Sequence, residues 1–335
     1  MKLKIAIVGT GKVAKGSYLP YLSKVPDVEL LYFNRTHEKA SEAARQFGGR
    51  AFGRLDDLVA ENPDAVLVLT GERDRYEAAK ALLALKPRRV LFEKPLVAEN
   101  GQEDVRPSDF HKGHEVLRLA RDAGTETAMI FNYRFFDQIK KAKAIVSERG
   151  FGELVHFTGL VNYACWSHCI DLMHFFGGPA AEVAALASGK ARTGFATAYD
   201  TVAAFRLQGG GTGTLIGTSG IDFKAPLFEL TFAFEHGRFS VRDLDGDLEV
   251  IDYRTRNHEL HSLYREVSRW DQYRASFAKS LEAYLASIRS GSPPPVPGIA
   301  GLLELQFEAA AKESIARRRP IALAEEFPID KELEA

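Results

Sequence analysis

Lys94 and His168 are the side chains of this sequence best suited to acid–base chemistry on an alcohol. Oxidation of a secondary alcohol needs a base for the hydroxyl proton and a cation that stabilises alkoxide character. Lys94 can supply the cation, and His168 can carry the proton because an unperturbed imidazole has a pKa of about 6.5. Asp171 lies three residues beyond His168 and could orient it, or serve as a structural partner. Taken alone, such a lysine is more often a solvated surface charge, and such a histidine is more often structural.

A glycine-rich turn near residue 10 predicts where a hydride acceptor binds. The apolar run 4–8 predicts a strand, and Gly9-Thr10-Gly11-Lys12-Val13-Ala14 follows it as a G-x-G-x-x-A pattern before a helical stretch. Gly9 permits the tight turn, Gly11 lets the backbone approach a pyrophosphate, and Ala14 allows the helix to pack on the strand. The helix N-terminus offers free N–H groups to the phosphates. An ordinary strand-to-helix turn is the alternative, since the pattern is short.

Strand and helix signals alternate through the first third of the chain. Strands are predicted at 4–8, 28–33, 65–69 and 89–92, and helices at 12–24, 37–47 and 75–85. This spacing predicts a doubly wound parallel sheet with helices on both faces. Ligands bind such sheets at the carboxyl ends of the strands. The sequence therefore predicts a cofactor site at the residues that follow the strands, which include Gly9, Asn34, Thr70, Glu93 and Lys94.

The residues after the second predicted strand bear on which dinucleotide binds. A carboxylate there would bind the adenosine ribose and repel a 2′-phosphate, but this chain has Asn34-Arg35-Thr36. Arg35 can pair with a 2′-phosphate or stack on adenine, so the sequence favours NADP over NAD as the cofactor. The alternative is that Arg35 is a solvated surface arginine.

Beyond residue 150 the pattern changes to β-rich stretches separated by Gly, Asp and Pro. These stretches are 153–163, 181–190, 199–208, 212–220, 227–235, 237–243 and 247–252. Their hairpin spacing predicts a large, mostly antiparallel sheet, accompanied by a helix at 165–176. One face of the sheet would cover helices, and the other could form an interface between copies of the chain. The predicted fold class is therefore α/β, with a parallel sheet followed by an α+β domain.

The order of four motifs resembles the Gfo/Idh/MocA oxidoreductases, which take their name from glucose-fructose oxidoreductase and inositol dehydrogenase. The motifs are the turn at 9–14, Glu93-Lys94-Pro95-Leu96, Phe131-Asn132-Tyr133-Arg134-Phe135 and His168-Cys169-Ile170-Asp171-Leu172. The resemblance covers nearly the whole chain. It implies an NAD(P)-binding Rossmann domain over 1–128, and an α+β domain over 129–335 that binds substrate and forms a homodimer or homotetramer through its sheet.

The resemblance also implies which residues meet the substrate. Lys94 and His168 match the family's catalytic lysine and histidine, and Asn132 and Arg134 match the segment that lines its substrate cleft. Arg134 could contact a hydroxyl or phosphate, or pair across the domain junction. Polyol-oxidising members usually carry an aspartate four residues before the histidine, where this chain has Ala164. The sequence therefore favours a modified or nucleotide-linked sugar over inositol or free glucose.

Composition excludes several other classes of function. A formal net charge of -1 offers no electrostatic case for binding nucleic acid or a membrane surface. No continuous apolar run reaches the about eighteen residues of a membrane span, and the two cysteines fit a reducing compartment, so a cytoplasmic location is expected. Cys165, His168, Cys169 and His174 have a spacing that suggests zinc, but one helix aims too few of them at one point, so no metal is expected.

The sequence thus predicts an NAD(P)-dependent oxidoreductase acting on a sugar, sugar phosphate, nucleotide sugar or cyclic polyol. Two alternatives have the same architecture. The first is a glycosidase that holds NAD tightly and reduces it only transiently, which predicts no net change in cofactor. The second is a non-catalytic dinucleotide-binding sensor, which Ala164 favours and the combination of Lys94 with His168 disfavours.

Overall fold

The chain folds into two compact units, each with its own sheet. The structure, a computed structural model, describes residues 2–194, 196–263 and 266–333. Unit 1 comprises Met1–Phe131, Phe277–Leu305 and Ile329–Ala335, and unit 2 comprises Asn132–Ser276 and Gln306–Pro328. Residues 277–305 pack within unit 1, although they lie beyond residue 276 of unit 2 in the sequence.

Unit 1 is built on a six-stranded parallel sheet. Its strands are β1 (Leu3–Val8), β2 (Val28–Phe33), β3 (Arg50–Phe52), β4 (Ala65–Val68), β5 (Arg89–Phe92) and β6 (Glu126–Met129). Their order is β3-β2-β1-β4-β5-β6, and every neighbouring pair is parallel. The predicted doubly wound sheet is confirmed. The strand order reverses between β1 and β4, and ligands bind such sheets where the carboxyl ends diverge.

Helices follow the strands of unit 1 in the order that right-handed crossovers require. They are α1 (Leu19–Leu22), α2 (His37–Phe47), α3 (Leu55–Ala60), α4 (Glu72–Leu83) and α5 (Pro107–Asp122). A π-helical turn, Ala14–Tyr18, leads into α1 and follows directly on the glycine-rich turn. Such turns interrupt the regular hydrogen bonding of a helix and occur often at functional sites.

Unit 2 is built on a nine-stranded sheet. Its strands are β7 (Leu154–Asn162), β8 (Ala180–Thr193), β9 (Thr197–Leu207), β10 (Thr212–Thr218), β11 (Phe228–Phe234), β12 (Gly237–Arg242), β13 (Leu248–Asp252), β14 (His258–His261) and β15 (Ile321–Ala322). Their order is β14-β13-β12-β11-β7-β10-β9-β8-β15, and the only parallel pair among them is β7 with β10. The predicted mostly antiparallel sheet is confirmed. The edge strand β14 was not predicted, because three of its four residues, His258, Glu259 and His261, are polar, and all four are at least partly exposed.

The remaining helices pack against these sheets. They are α6 (Asp137–Glu148), α7 (Trp166–Gly177), α8 (Arg269–Ser290), α9 (Ile299–Arg317) and α10 (Leu323–Glu326). The first nine residues of α7 are all buried, which accounts for its nearly continuous apolar sequence. In the ranges that the structure describes, no helix is both long enough and apolar enough to span a bilayer.

Candidate functional site

A cleft of about 660 Å³ opens at the carboxyl ends of β1, β2 and β4 in unit 1. Of the residues predicted to bind the cofactor, those that line it are Gly9, Gly11, Asn34, Arg35, Thr36 and Thr70. Segments up to about 60 residues apart in sequence thus meet in one place, at the switch point of the sheet. The predicted residues Thr10, Lys12, Val13, Glu93 and Lys94 are not among the lining residues.

Gly9 and Gly11 have different structural roles. Gly9 has φ of +97°, and a Cβ atom on it would lie 2.7 Å from the backbone nitrogen of Thr70. Apart from Gly11 itself and its two neighbours in the chain, no atom of the described residues lies within 4 Å of the position that a Cβ of Gly11 would occupy. Gly9 therefore allows β1 and β4 to approach each other, while Gly11 leaves open space beside the cleft. That is the space in which a pyrophosphate would approach the backbone.

The turn between the two glycines is tied to the end of β2. The Thr10 N–H donates a hydrogen bond to Asn34 Oδ1 at 3.2 Å, so the amide side chain holds the glycine turn in place. The Thr10 hydroxyl is buried and has no hydrogen-bond partner among the described residues, and the same holds for the Thr70 hydroxyl. Buried hydroxyls are normally hydrogen-bonded, so these two fit a site completed by a polar ligand.

Three basic side chains border the cleft, and sequence reasoning identified one of them. Arg35 is 87% exposed and lies 3.8 Å from Asp74. Lys39, in the first turn of α2, and Arg73, which donates to the Asn100 carbonyl, also line the cleft. Lys39 follows Arg35 by four residues, which places both basic residues just beyond the end of β2. The same lining contains the carboxylates of Asp74 and Glu77.

Lys12 and Val13 lie on the exposed side of the first helical turn after the glycines. Glu93, at the end of β5, is buried instead and accepts a hydrogen bond from the Tyr18 hydroxyl at 3.1 Å. Burial raises the pKa of the Glu93 carboxyl, and the nearby charges of Lys94 and Arg75 oppose that shift. The structure thus gives Glu93 partners within the protein.

Lys94 follows β5 and is half-buried. Its Nζ donates a hydrogen bond to Gln102 Oε1 at 2.8 Å, in the loop that precedes α5. The peptide bond between Lys94 and Pro95 is cis. The amide oxygen of Gln102 carries no net charge, so this contact is a hydrogen bond and not an ion pair.

Arg75 is a buried residue near the ends of β4 and β5 for which the sequence predicted no role. Its guanidinium donates hydrogen bonds to the carbonyl of Pro95 and, at 2.8 Å, to that of Thr70. The same side chain therefore connects the segments that follow β4 and β5. It is 2% exposed, and burial lowers the pKa of the guanidinium.

His168 lies in unit 2, in the first turn of α7. Its imidazole is 2% exposed and stacks on the ring of Tyr133, with 4.0 Å between ring centroids and 8° between ring planes. The Tyr133 hydroxyl donates to the sulfur of Cys165 at 3.1 Å. Tyr133 belongs to the sequence motif 131–135, but no function could be predicted for it from the sequence.

Arg134 and Asp171 form a buried ion pair in unit 2. Arg134 Nε and Nη2 donate to the two carboxylate oxygens at 2.8 and 2.6 Å, and the guanidinium also lies 4.6 Å from the ring centre of Phe175. Burial raises the pKa of Asp171, and Arg134 opposes that shift. Of the two roles left open for Asp171, this pairing supports the structural one.

Asn132 is fully buried, and its Nδ2 donates to Ser276 Oγ at 2.7 Å. Its Oδ1 has no hydrogen-bond partner among the described residues.

Ala164 occupies the short 3₁₀ turn before α7, where its N–H donates to Asn162 Oδ1 at 2.8 Å. Cys165 and Cys169 are both buried thiols. Across the part of the chain that the structure describes, no group of three or more His, Cys, Asp or Glu side chains could hold a metal ion.

Comparison with known proteins supports an oxidoreductase. Residues 3–125 match the model of GFO_IDH_MocA, described as an oxidoreductase family with an NAD-binding Rossmann fold. The matched range contains the whole cleft, Arg75 and Lys94. The chain is also 22% identical to myo-inositol 2-dehydrogenase of Thermotoga maritima, over 96% of this chain and 99% of that protein.

Solved structures share the whole fold. An oxidoreductase from Agrobacterium radiobacter, in complex with NAD+, L-tartaric acid and magnesium, superposes with a TM-score of 0.79 at 18% identity, covering 97% of this chain and 99% of that one. The WlbA dehydrogenase from Bordetella pertussis, in complex with NADH and UDP-GlcNAcA, gives 0.74 at 19% identity, covering 96% and 99%. At this identity the likeness concerns the fold.

Proposed function

We propose that the chain is an oxidoreductase of the Gfo/Idh/MocA family, and that it transfers a hydride between NADP and a CH–OH or keto carbon of a carbohydrate. The observation that carries the proposal is the cleft beside Gly11, with open space at the glycine and a buried hydroxyl at Thr10. When bound, the nicotinamide would supply a hydride acceptor for the substrate carbon in oxidation, or a hydride donor in reduction.

The protein's part begins with binding the dinucleotide. The turn Gly9–Val13 and the N-terminus of the following helix hold the pyrophosphate, and Thr70 borders the nicotinamide ribose. Arg35 holds the 2′-phosphate of NADP, assisted by Lys39 and Arg73. The supporting observation is that these three basic side chains line one cleft together with Asn34 and Thr36. Lys39 and Arg73 thus add to the preference for NADP over NAD that Arg35 alone suggested.

Lys94 and His168 carry the chemistry on the substrate. Lys94 binds the reacting hydroxyl through Nζ and stabilises its alkoxide character as the proton leaves. An imidazole nitrogen of His168 takes that proton in oxidation and returns it in reduction. Asn132 and Arg134 belong to the substrate-binding segment, where Arg134 acts by fixing Asp171 and the start of α7. The Asp171 carboxylate, with both oxygens bound to Arg134, serves this structural role.

The substrate is a modified or nucleotide-linked sugar in this proposal. Ala164 removes the carboxylate that polyol-oxidising members place before the histidine. Relatives of the chain include an inositol dehydrogenase, and a structural neighbour binds a UDP-linked sugar acid. Specificity within this class depends on side chains from several loops.

The test combines cofactor titration with a substrate panel. Binding of NADPH and NADH is followed by fluorescence, and turnover of myo-inositol, glucose, UDP-N-acetylglucosamine and UDP-GlcNAcA by absorbance of the reduced cofactor. We expect turnover of a UDP-linked sugar that Lys94→Ala abolishes while the affinity for NADPH is kept. Lys86→Ala removes an exposed-loop lysine of the same unit and is the control. Absence of dinucleotide binding would contradict the proposal, and tight binding without net oxidation of any panel member would support a glycosidase or sensor instead.

We also propose that the chain forms a homodimer or homotetramer through the sheet of unit 2. Leu186, Val202, Ile216 and Leu160 lie side by side in register on four adjacent strands. Leu186 is 75% exposed, Val202 42% and Leu160 39%, so the row forms an apolar stripe that water would contact in a monomer. Leu186→Lys with Val202→Glu is expected to give a smaller species in analytical ultracentrifugation. An unchanged sedimentation coefficient would contradict this proposal.

A further inference from the structure

The aspartate that usually lies four residues before the catalytic histidine is replaced by Ala164 in this chain, so a different contact has to orient the His168 imidazole. Residue 164 is alanine, so it offers no side-chain acceptor for an imidazole N–H. Asp171, on the same helix, has both carboxylate oxygens within 2.8 Å of the Arg134 guanidinium. A proton carrier works only when its ring is held at the correct angle to the proton that it moves. Some other contact must therefore contribute to holding the His168 ring.

The Tyr133 ring provides such a contact. The two rings are nearly parallel, at 8°, and their centroids are 4.0 Å apart. Both residues are 2% exposed, so the stacked faces exclude water. A face-to-face contact at this distance resists rotation of the imidazole about its χ2 angle, because rotation would drive the ring edge into the tyrosine ring. The stack therefore fixes the plane of the imidazole.

Tyr133 is itself held from several sides. Its hydroxyl donates to Cys165 Sγ at 3.1 Å, and Cys165 immediately precedes α7. The ring of Phe136 lies 4.8 Å from that of Tyr133, and the ring of Phe228 lies 5.6 Å away. Both phenylalanines are among the fully buried residues of the core. Tyr133 is thus a rigid support for the histidine, since its position is determined by packing rather than by solvent.

We propose that Tyr133 is a positioning residue that holds the His168 imidazole in the plane needed for proton transfer, in place of the aspartate that Ala164 replaces. The proposal rests on the proposed role of His168 as the proton carrier. The aromatic ring is the essential part of Tyr133, and the hydroxyl contributes by anchoring that ring to Cys165.

The test compares three variants of the full-length protein. Tyr133→Leu removes the stacked ring, Tyr133→Phe keeps it, and Phe239→Leu removes a comparable buried ring elsewhere in unit 2. For the panel substrate with the highest turnover, we expect Tyr133→Leu to lower kcat by about 10- to 100-fold, as misplacement of a catalytic group does. The KM and the affinity for NADPH should stay within a factor of about 3, since the lost contact supports chemistry rather than binding. Tyr133→Phe should recover most of kcat, and Phe239→Leu should lower the melting temperature without a comparable loss of kcat.

A second readout needs no substrate. In protein labelled with 13C at histidine Cε1, the proton on that carbon in His168 should be shifted upfield by the tyrosine ring current. The shift should persist in Tyr133→Phe and disappear in Tyr133→Leu, with His168→Asn used to assign the signal. The inference is overturned if Tyr133→Leu keeps both the wild-type kcat and the wild-type chemical shift, or if Tyr133→Phe loses as much kcat as Tyr133→Leu. If His168→Asn keeps full turnover, the proposed role of His168 fails instead.

Discussion

Arg134 and Asp171 are joined by two parallel hydrogen bonds of 2.8 and 2.6 Å, and the carboxylate is 1% exposed. Breaking a buried pair by removing one partner leaves an uncompensated charge, which typically costs about 3–5 kcal/mol. We therefore expect Arg134→Met to lower the free energy of unfolding by about that amount. Urea unfolding measures it, and the double variant Arg134→Met with Asp171→Leu should be more stable than Arg134→Met alone. A single variant as stable as the wild type would contradict the pairing.

The two glycines of the turn should respond differently to alanine. Gly9→Ala places a methyl group 2.7 Å from the Thr70 nitrogen at a positive φ, so we expect a loss of about 1–3 kcal/mol in unfolding free energy. Gly11→Ala meets no atom of the described residues within 4 Å beyond its own chain neighbours, and should fold normally. Its methyl group occupies the space for the pyrophosphate, so the dissociation constant for NADPH should rise about tenfold or more, a cost of about 1.4 kcal/mol. Thermal unfolding and fluorescence titration separate the two effects. Wild-type affinity in a folded Gly11→Ala protein would show that the phosphates bind elsewhere.

Arg35 should decide between the two cofactors. Arg35 is highly exposed, and its ion pair with Asp74 is long, at 3.8 Å. The guanidinium can therefore reorient towards a phosphate at little cost in free energy. A charge-assisted contact to a 2′-phosphate contributes about 1.5–3 kcal/mol, so Arg35→Ala should weaken NADPH binding at least about tenfold. The affinity for NADH should hardly change. Arg45→Ala, at the other end of α2, is the control, because it alters net charge equally. Equal losses for NADH and NADPH would contradict a 2′-phosphate site.

His174 should make the stability of the protein dependent on pH. Both of its ring nitrogens are buried without hydrogen-bond partners in the described part of the chain, and burial lowers its pKa to about 3. The imidazole is neutral in the folded state, whereas the unfolded chain takes up a proton below about pH 6.5. The unfolded state therefore binds more protons between these two values, and stability falls as the pH falls through that window.

The expected size of this effect is up to about 1.4 kcal/mol per pH unit below pH 6.5. His174→Phe removes the titrating group and keeps an aromatic ring beside Phe307. The difference in unfolding free energy between the variant and the wild type should therefore grow in favour of the variant on going from about pH 7 to about pH 5. Urea unfolding at the two pH values measures it. A difference that does not change with pH would show that His174 takes up its proton equally in the folded and unfolded states, and would contradict a lowered pKa.

Most residues of the cofactor cleft in unit 1 could be predicted, because short stretches of adjacent residues specify the strand ends at which they lie. A strand that ends at Gly9 and a helix that begins after Gly11 are each specified by a few adjacent residues, and parallel strands bring their carboxyl ends to one edge. Asn34, Arg35 and Thr70 were placed at that edge for this reason, and they do line the cleft. The sequence did not indicate that Glu93 is buried against Tyr18, since burial depends on what packs behind a strand end.

The amino-acid sequence by itself determined the alternation of strands and helices in the first third of the chain, the parallel and antiparallel character of the two sheets, and the position of the glycine turn. These follow from short-range periodicity and from backbone freedom at single residues. Only the tertiary structure decided that Asp171 pairs with Arg134, that Arg75 connects two strand ends, and that His168 stacks on Tyr133. Arg134 and Tyr133 lie more than thirty residues from their partners, so the chain's path through the folded core brings each pair together. No local pattern encodes which of several suitable side chains will be the neighbour.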